Sequence, residues 1–176
     1  YGKSGLGKSS LLNAGIIPRI NELREVGELN YHPLSIRFNA WTEGREETPV
    51  ERLKSYLEID QPTYVEKLIP DDQSLWAHFQ RYQILKPLQS DFVLLFDQFE
   101  ELFTFPEEQI KEFEQQLSEL LYAKIPQRYR NANKEQKDLL SEAEKDALFQ
   151  PLDVRAILAI RSDRMHELGQ LGGKLP

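Results

Sequence analysis

The chain contains no cysteine. Disulfides and thiolate metal sites are therefore excluded. Positive charge is outnumbered, with 22 Lys and Arg against 29 Asp and Glu and a net charge of −7. A nucleic-acid surface needs a basic stripe. Here the basic residues are scattered among acids, and the densest cluster, Gln127-Arg128-Tyr129-Arg130, is short and followed by acids. That cluster reads as a solvated helix end, so no direct nucleic-acid partner is expected. No apolar run is long enough to cross a bilayer, and no signal peptide is visible. No membrane partner is expected, and the composition is compatible with a cytoplasmic protein.

What remains is a chain of 176 residues, 40% hydrophobic and 29% charged. These proportions suit one soluble globular domain, or most of one, with a sizeable core.

The most informative stretch is Gly2-Lys3-Ser4-Gly5-Leu6-Gly7-Lys8-Ser9, which meets every fixed position of the P-loop pattern G-x-x-x-x-G-K-[ST]. A triphosphate is held when several backbone N–H groups converge on one concavity. Such a nest needs backbone angles that a Cβ forbids, hence Gly2, Gly5 and Gly7. Lys3, Ser4 and Leu6 complete the loop. A helix starting near Lys8 adds unpaired N–H groups and its positive dipole end. In this pattern Lys8 reaches the β- and γ-phosphates, Ser9 places its hydroxyl on Mg²⁺, and Ser10 caps or packs. Leu11, Leu12, Ile16 and Ile17 are expected to anchor that helix to a sheet. A P-loop follows a buried strand, which here would precede Tyr1, so the sequence reads as a domain cut on its N-terminal side.

Pro18 is expected to kink or end the first helix, with a second piece over Asn21–Val26 closed by Gly27. His32–Phe38 alternates as a strand. In the loop that follows, Trp41 either lines a nucleotide pocket or closes the rim of the core. Thr48, Pro49 and Glu51 spell a capping box. A short helix is expected over Pro62–Ile69, and Ser74–Lys86 carries a core-facing helical stripe. Asp91–Asp97 is a continuous apolar run ending in an acid, the pattern of a strand buried on both faces. An amphipathic helix follows over Glu107–Lys124. Gln127–Lys145 reads as a charged helical hairpin or a mobile surface loop, part of a charged helical insertion around residues 106–150. Val154–Ile160 is the third strand. A helix capped by Ser162 or Asp163 follows it and is stopped by Gly169, Gly172 and Gly173.

Strands alternating with helices predict an α/β fold with a parallel sheet, in which ligands bind beyond the C-terminal strand ends. Gly7, Asp97 and Arg161 converge on that edge. A carboxylate ending a buried strand is costly to desolvate unless it meets a cation, so Asp97 is the Walker B candidate and, with Ser9, the metal pair. Gln98 stands where many ATPases carry a catalytic Glu. Glu100, one helical turn beyond Asp97, is the favoured base; Glu101 reads equally as a solvent-facing acid. Arg161 either clamps transition-state charge or forms a surface salt bridge. Lys8, Glu100 and Arg161 are thus the catalytic candidates.

Taken together, Gly2–Pro18, Leu94–Thr104 (Leu-Leu-Phe-Asp-Gln-Phe-Glu-Glu-Leu-Phe-Thr) and Ile157–Arg164 (Ile-Leu-Ala-Ile-Arg-Ser-Asp-Arg) resemble the P-loop, Walker B segment and sensor strand of STAND NTPases. The resemblance spans residues 1 to about 170. It implies an ASCE-type P-loop NTPase three-layer sandwich whose first strand lies largely outside this sequence, leaving a hydrophobic edge and poor stability for the chain alone. It further implies ATP/ADP and Mg²⁺ as cofactors, a slow ATPase acting as a regulatory switch in a signalling or defence protein, and self-association of the full-length protein when activated. A P-loop small-molecule kinase, with a lid hidden in Gln127–Lys145, and a non-hydrolysing nucleotide-binding scaffold are the alternatives. A GTPase is disfavoured because Asn133-Lys134-Glu135-Gln136 lacks the Asp of a guanine-reading Asn-Lys-x-Asp.

Overall fold

The computed structural model describes residues 7–44, 46–87 and 91–172. Three strands, β1 (Tyr31–Arg37), β2 (Asp91–Asp97) and β3 (Asp153–Leu158), form an all-parallel sheet in the order β1-β2-β3. The register pairs Tyr31 with Asp91 and Arg37 with Asp97, and Asp91 with Asp153. Their C-terminal ends therefore line up along one edge. Among the described residues β3 is an edge strand, and its Ile157 is 39% exposed.

Helices cover both faces. The chain passes from β1 to β2 through α3 (Pro49–Lys54), α4 (Val65–Leu68) and α5 (Leu75–Leu85). It returns to β3 through a 3₁₀ segment (Phe99–Thr104), α6 (Glu107–Tyr122), α7 (Gln127–Glu135) and α8 (Glu142–Leu148). Two right-handed crossovers stepping the same way must cover the same face, and both pack there. Leu34, Ile36 and Phe38 of the β1 strand and its extension, with Phe92, Leu94 and Phe96 of β2, meet Phe79, Phe113 and Leu117 in the main core. The alternate residues of β2, Val93 and Leu95, face the other way and pack with Leu12 and Ala159. A strand apolar at every position is thus explained: β2 is central and buried on both sides.

That second face belongs to α1 (Lys8–Ser10), a π-helical stretch (Leu11–Ile16) and α2 (Ile17–Glu25), which follow one another without a break. Of the two outcomes expected at Pro18, a kink or an end, the helix does not end there. The π turn just before it supplies the reason. The Ile17 N–H reaches back to the Leu12 carbonyl, one residue further than in an α-helix. The widened turn accommodates a ring that would clash with a carbonyl four residues back. Pro18 then sits in the first turn of α2. Gly27, at φ 75°, closes α2 with Glu28 N–H on the Leu23 carbonyl and Gly27 N–H on the Arg24 carbonyl, a Schellman stop. Leu11 is a second correction. It is 62% exposed, while Leu12 is buried against the sheet and Ile16, Ile17 and Ile20 pack around it.

The capping box at Thr48 and Glu51 forms as expected, and Ser74 caps α5. The segment over residues 127–145 carries α7 and the start of α8, the helical alternative of the sequence reading, and Arg128-Tyr129 is docked rather than solvated. Tyr129 is fully buried, with its ring 4.7 Å from Trp76. Its hydroxyl donates to Asp72 (3.0 Å), and burial pushes its pKa well up. Arg128 donates to Asp72 (2.8 Å), Glu119 (2.5 Å) and Ser74 (2.8 Å). A second capping box, Ser141 with Glu144, starts α8.

Candidate functional site

The C-terminal edge of the sheet carries a cavity of about 260 Å³ lined by Gly7, Lys8, Ser9, Ser10, Asp97, Gln98, Glu100 and Arg161. Gly2, Lys3, Ser4, Gly5 and Leu6 lie outside the described residues. Gly7 has φ 73° and ψ 18°, a left-handed conformation that L-residues rarely adopt. The space its missing Cβ would fill is open among the described residues. Its carbonyl accepts the Leu11 N–H at 2.7 Å, which seats the loop on the helix start.

Ser9 Oγ donates to Asp97 Oδ1 at 2.8 Å, across 88 residues of sequence. Asp97 is 6% exposed. A carboxylate buried this deeply demands hydrogen bonds or a counter-charge. It receives both, because the Arg37 guanidinium stands 3.5 Å from Oδ2. Arg37 is the site residue that motif reading missed. The usable signal was strand register: Arg37 and Asp97 end neighbouring seven-residue strands and are direct partners.

Beyond Asp97 the chain turns sharply. Gln98 has φ 55° and ψ 49°. This left-handed residue reverses the backbone, sending Phe99 into the core and Glu100 back toward the cavity. Glu100 is 4% exposed and accepts the Arg161 backbone N–H at 3.3 Å. The Phe99 N–H donates to the Ala159 carbonyl (2.9 Å), and the Ala159 N–H donates to the Phe96 carbonyl (2.8 Å). The turn after β2 is thereby stitched to the chain leaving β3. The Arg161 side chain is half-exposed and makes two contacts to Asp163, at 3.2 and 2.7 Å. That pairing holds the Asp163 carboxyl below its usual range. The 3₁₀ segment Ser162–Gln170 that follows begins without a side-chain cap from Ser162 or Asp163.

Glu101 does not line the cavity, whereas Gln98 and Glu100 do. Trp41 also lies away from it: its side chain packs on the main core and its N–H donates to Thr104 Oγ1 at 2.7 Å. No residue of 127–145 is among those lining it. A larger cavity of about 730 Å³ lies between α3, α6 and Arg128, away from the C-terminal edge of the sheet. Its cations are already engaged, Arg128 by Asp72 and Glu119 and Lys54 by the Gln73 carbonyl.

No cluster of three or more His, Asp or Glu able to hold a metal alone occurs among the described residues. One hydroxyl and one buried carboxylate fit Mg²⁺ instead, which is commonly held by one or two carboxylates, waters and substrate phosphates. No described helix is long and apolar enough to cross a membrane.

No curated protein and no solved structure matches the chain. The family described as Novel STAND NTPase 1 matches it over residues 1–172. With its parallel sheet and flanking helices, this chain belongs to the Novel STAND NTPase 1 family.

Proposed function

We propose that the chain is the ATP-binding, slowly ATP-hydrolysing core of a Mg²⁺-dependent regulatory switch. The observation that carries this reading is the 2.8 Å bond from Ser9 to a buried Asp97. It joins the serine of the P-loop pattern to the strand-ending acid in the same cavity as Lys8, Glu100 and Arg161.

Each residue then has a role. The backbone of Gly2 to Ser10 cups the polyphosphate, and the Lys8 ammonium neutralises its outer oxygens. Ser9 and Asp97 would hold Mg²⁺. When bound, the ion offsets the charge that gathers on the transferring phosphoryl group. Glu100 orients the attacking water and accepts its proton as the bond from the γ-phosphorus to the bridging oxygen breaks. The products are ADP and phosphate. Arg161 must leave Asp163 to reach the γ-phosphate. That exchange of partners makes its backbone link to Glu100 a route by which nucleotide state reaches the chain beyond β3. In the full-length protein this change of state favours self-association.

The test is a fluorescence titration of the full-length protein with a labelled ATP in Mg²⁺. Saturable binding that Lys8→Ala weakens at least about tenfold supports the reading. Equal binding by both proteins, or none by either, overturns it.

A further inference from the structure

Resting on the nucleotide reading above, we propose that Arg37 is a displaceable counter-ion that sets the divalent-ion threshold of the site. Asp97 is bracketed on both oxygens, by the Ser9 hydroxyl on Oδ1 and by the Arg37 guanidinium on Oδ2. The main chain of Arg37 is pinned. Its N–H donates to the Tyr56 hydroxyl at 3.2 Å, and its carbonyl accepts from Arg52 Nε at 3.1 Å. The Arg52 guanidinium in turn lies 5.2 Å from the centre of the Tyr56 ring. The strand end is therefore fixed, while the Arg37 side chain is 47% exposed and has solvent to swing into.

Its separation of 3.5 Å from Asp97 exceeds the ~2.7–2.9 Å of a charge-assisted hydrogen bond. The hold is Coulombic and breakable. The guanidinium supplies the opposite charge that a buried carboxylate requires. A divalent ion brought to Ser9 and Asp97 meets a like charge on the same carboxylate. Arg37 must turn outward for the ion to settle. Metal must therefore compete for entry with a guanidinium already beside the carboxylate.

The experiment follows the Mg²⁺ concentration that half-saturates binding of a fluorescent ADP to the full-length protein. Compared with the parent are Arg37→Gln, Arg37→Ala, Arg37→Lys and Arg155→Ala. The last removes a cation at the far end of the sheet as a control for net charge. Loss of the guanidinium is expected to lower the Mg²⁺ midpoint roughly fivefold in the Gln and Ala variants. Arg37→Lys should restore most of the shift, and Arg155→Ala should leave it unmoved. Mn²⁺ binding read by electron paramagnetic resonance should change in the same direction. An unchanged or raised midpoint in Arg37→Gln, with nucleotide still bound, overturns this inference alone. Absence of saturable nucleotide binding by the parent overturns the nucleotide reading and this inference with it. Gln keeps an uncharged side chain that still donates hydrogen bonds, though it is shorter and has two N–H donors against five, so a failure of Arg37→Ala to fold leaves the Gln comparison decisive.

Discussion

The two ends of the sheet carry the same kinds of residue in opposite circumstances. At the N-terminal end, Tyr31 donates to Asp153 at 2.5 Å, and the Arg155 guanidinium lies 5.0 Å from the centre of the Tyr31 ring. Asp91 is the register partner of both Tyr31 and Asp153. Tyr31, Asp153 and Arg155 pair with one another there, while partial burial and the like charge of Asp153 push the Asp91 carboxyl up. At the C-terminal end, Asp97 and Glu100 are buried, and a cavity lies in front of them. An acid, an arginine and a hydroxyl thus make a closed surface cluster at one end and a candidate site at the other. Burial is what separates them: a carboxylate withdrawn from water retains a strong demand for cations.

The sharpest way to break this comparison is to remove one acid from each end. Asp97→Asn is expected to weaken Mg²⁺-dependent nucleotide binding on the order of a hundredfold. Asp153→Asn should leave it unchanged. Isothermal titration of both variants in Mg²⁺ and in EDTA checks this, and equal effects from the two acids would erase the distinction. Next in size is Glu100→Gln. Its amide oxygen can still accept the Arg161 N–H, so binding should persist while phosphate release slows about a hundredfold. A variant that hydrolyses at the parent rate would remove Glu100 as the base and leave Gln98, on the same cavity wall, to position the water through its amide without taking its proton.

A smaller effect is expected at the turn itself. The left-handed backbone at Gln98 tolerates glycine and resists β-branching. Gln98→Val should cost about 1–2 kcal/mol, and Gln98→Gly should stay within about 1 kcal/mol of the parent in urea melts. Smallest is the alkaline behaviour of the opposite end. Tyr31 is pushed up to about 12, first by desolvation and then by its bond to Asp153. The unfolded chain loses this proton near the ordinary tyrosine value of about 10, and the folded chain keeps it until higher pH. The contribution is therefore fully present below pH ~10 and fades as pH climbs toward about 12. Tyr31→Phe should flatten that part of the stability curve. An unaltered slope would show the surface cluster to be inert.

Much of the fold was legible because local signals agreed. The apolar run 91–97 is a strand with those limits because a central strand needs both faces apolar. Thr48 and Ser74 mark helix starts because their side chains meet backbone donors three residues on. Other features depend on partners distant in sequence. Tyr129 and Arg128 look solvated until Asp72 and Trp76 are brought beside them. Pro18 looks like a stop until a π turn makes room for it. The site divides the same way. Ser9 and Asp97 belong to patterns that are read locally, but Arg37 carries no motif and becomes visible only through the pairing of β1 with β2.

The central claim is that Ser9 and Asp97 share one divalent ion with a polyphosphate. It is tested most directly by a crystal structure of the full-length protein with Mg²⁺ and a non-hydrolysable ATP analogue. The phosphates should lie against Gly7 to Ser10, with the ion between the Ser9 hydroxyl and the Asp97 carboxylate. An analogue lodged instead in the cleft between Thr48, Lys54 and Arg128, or a bound analogue whose ion avoids Asp97, would contradict it.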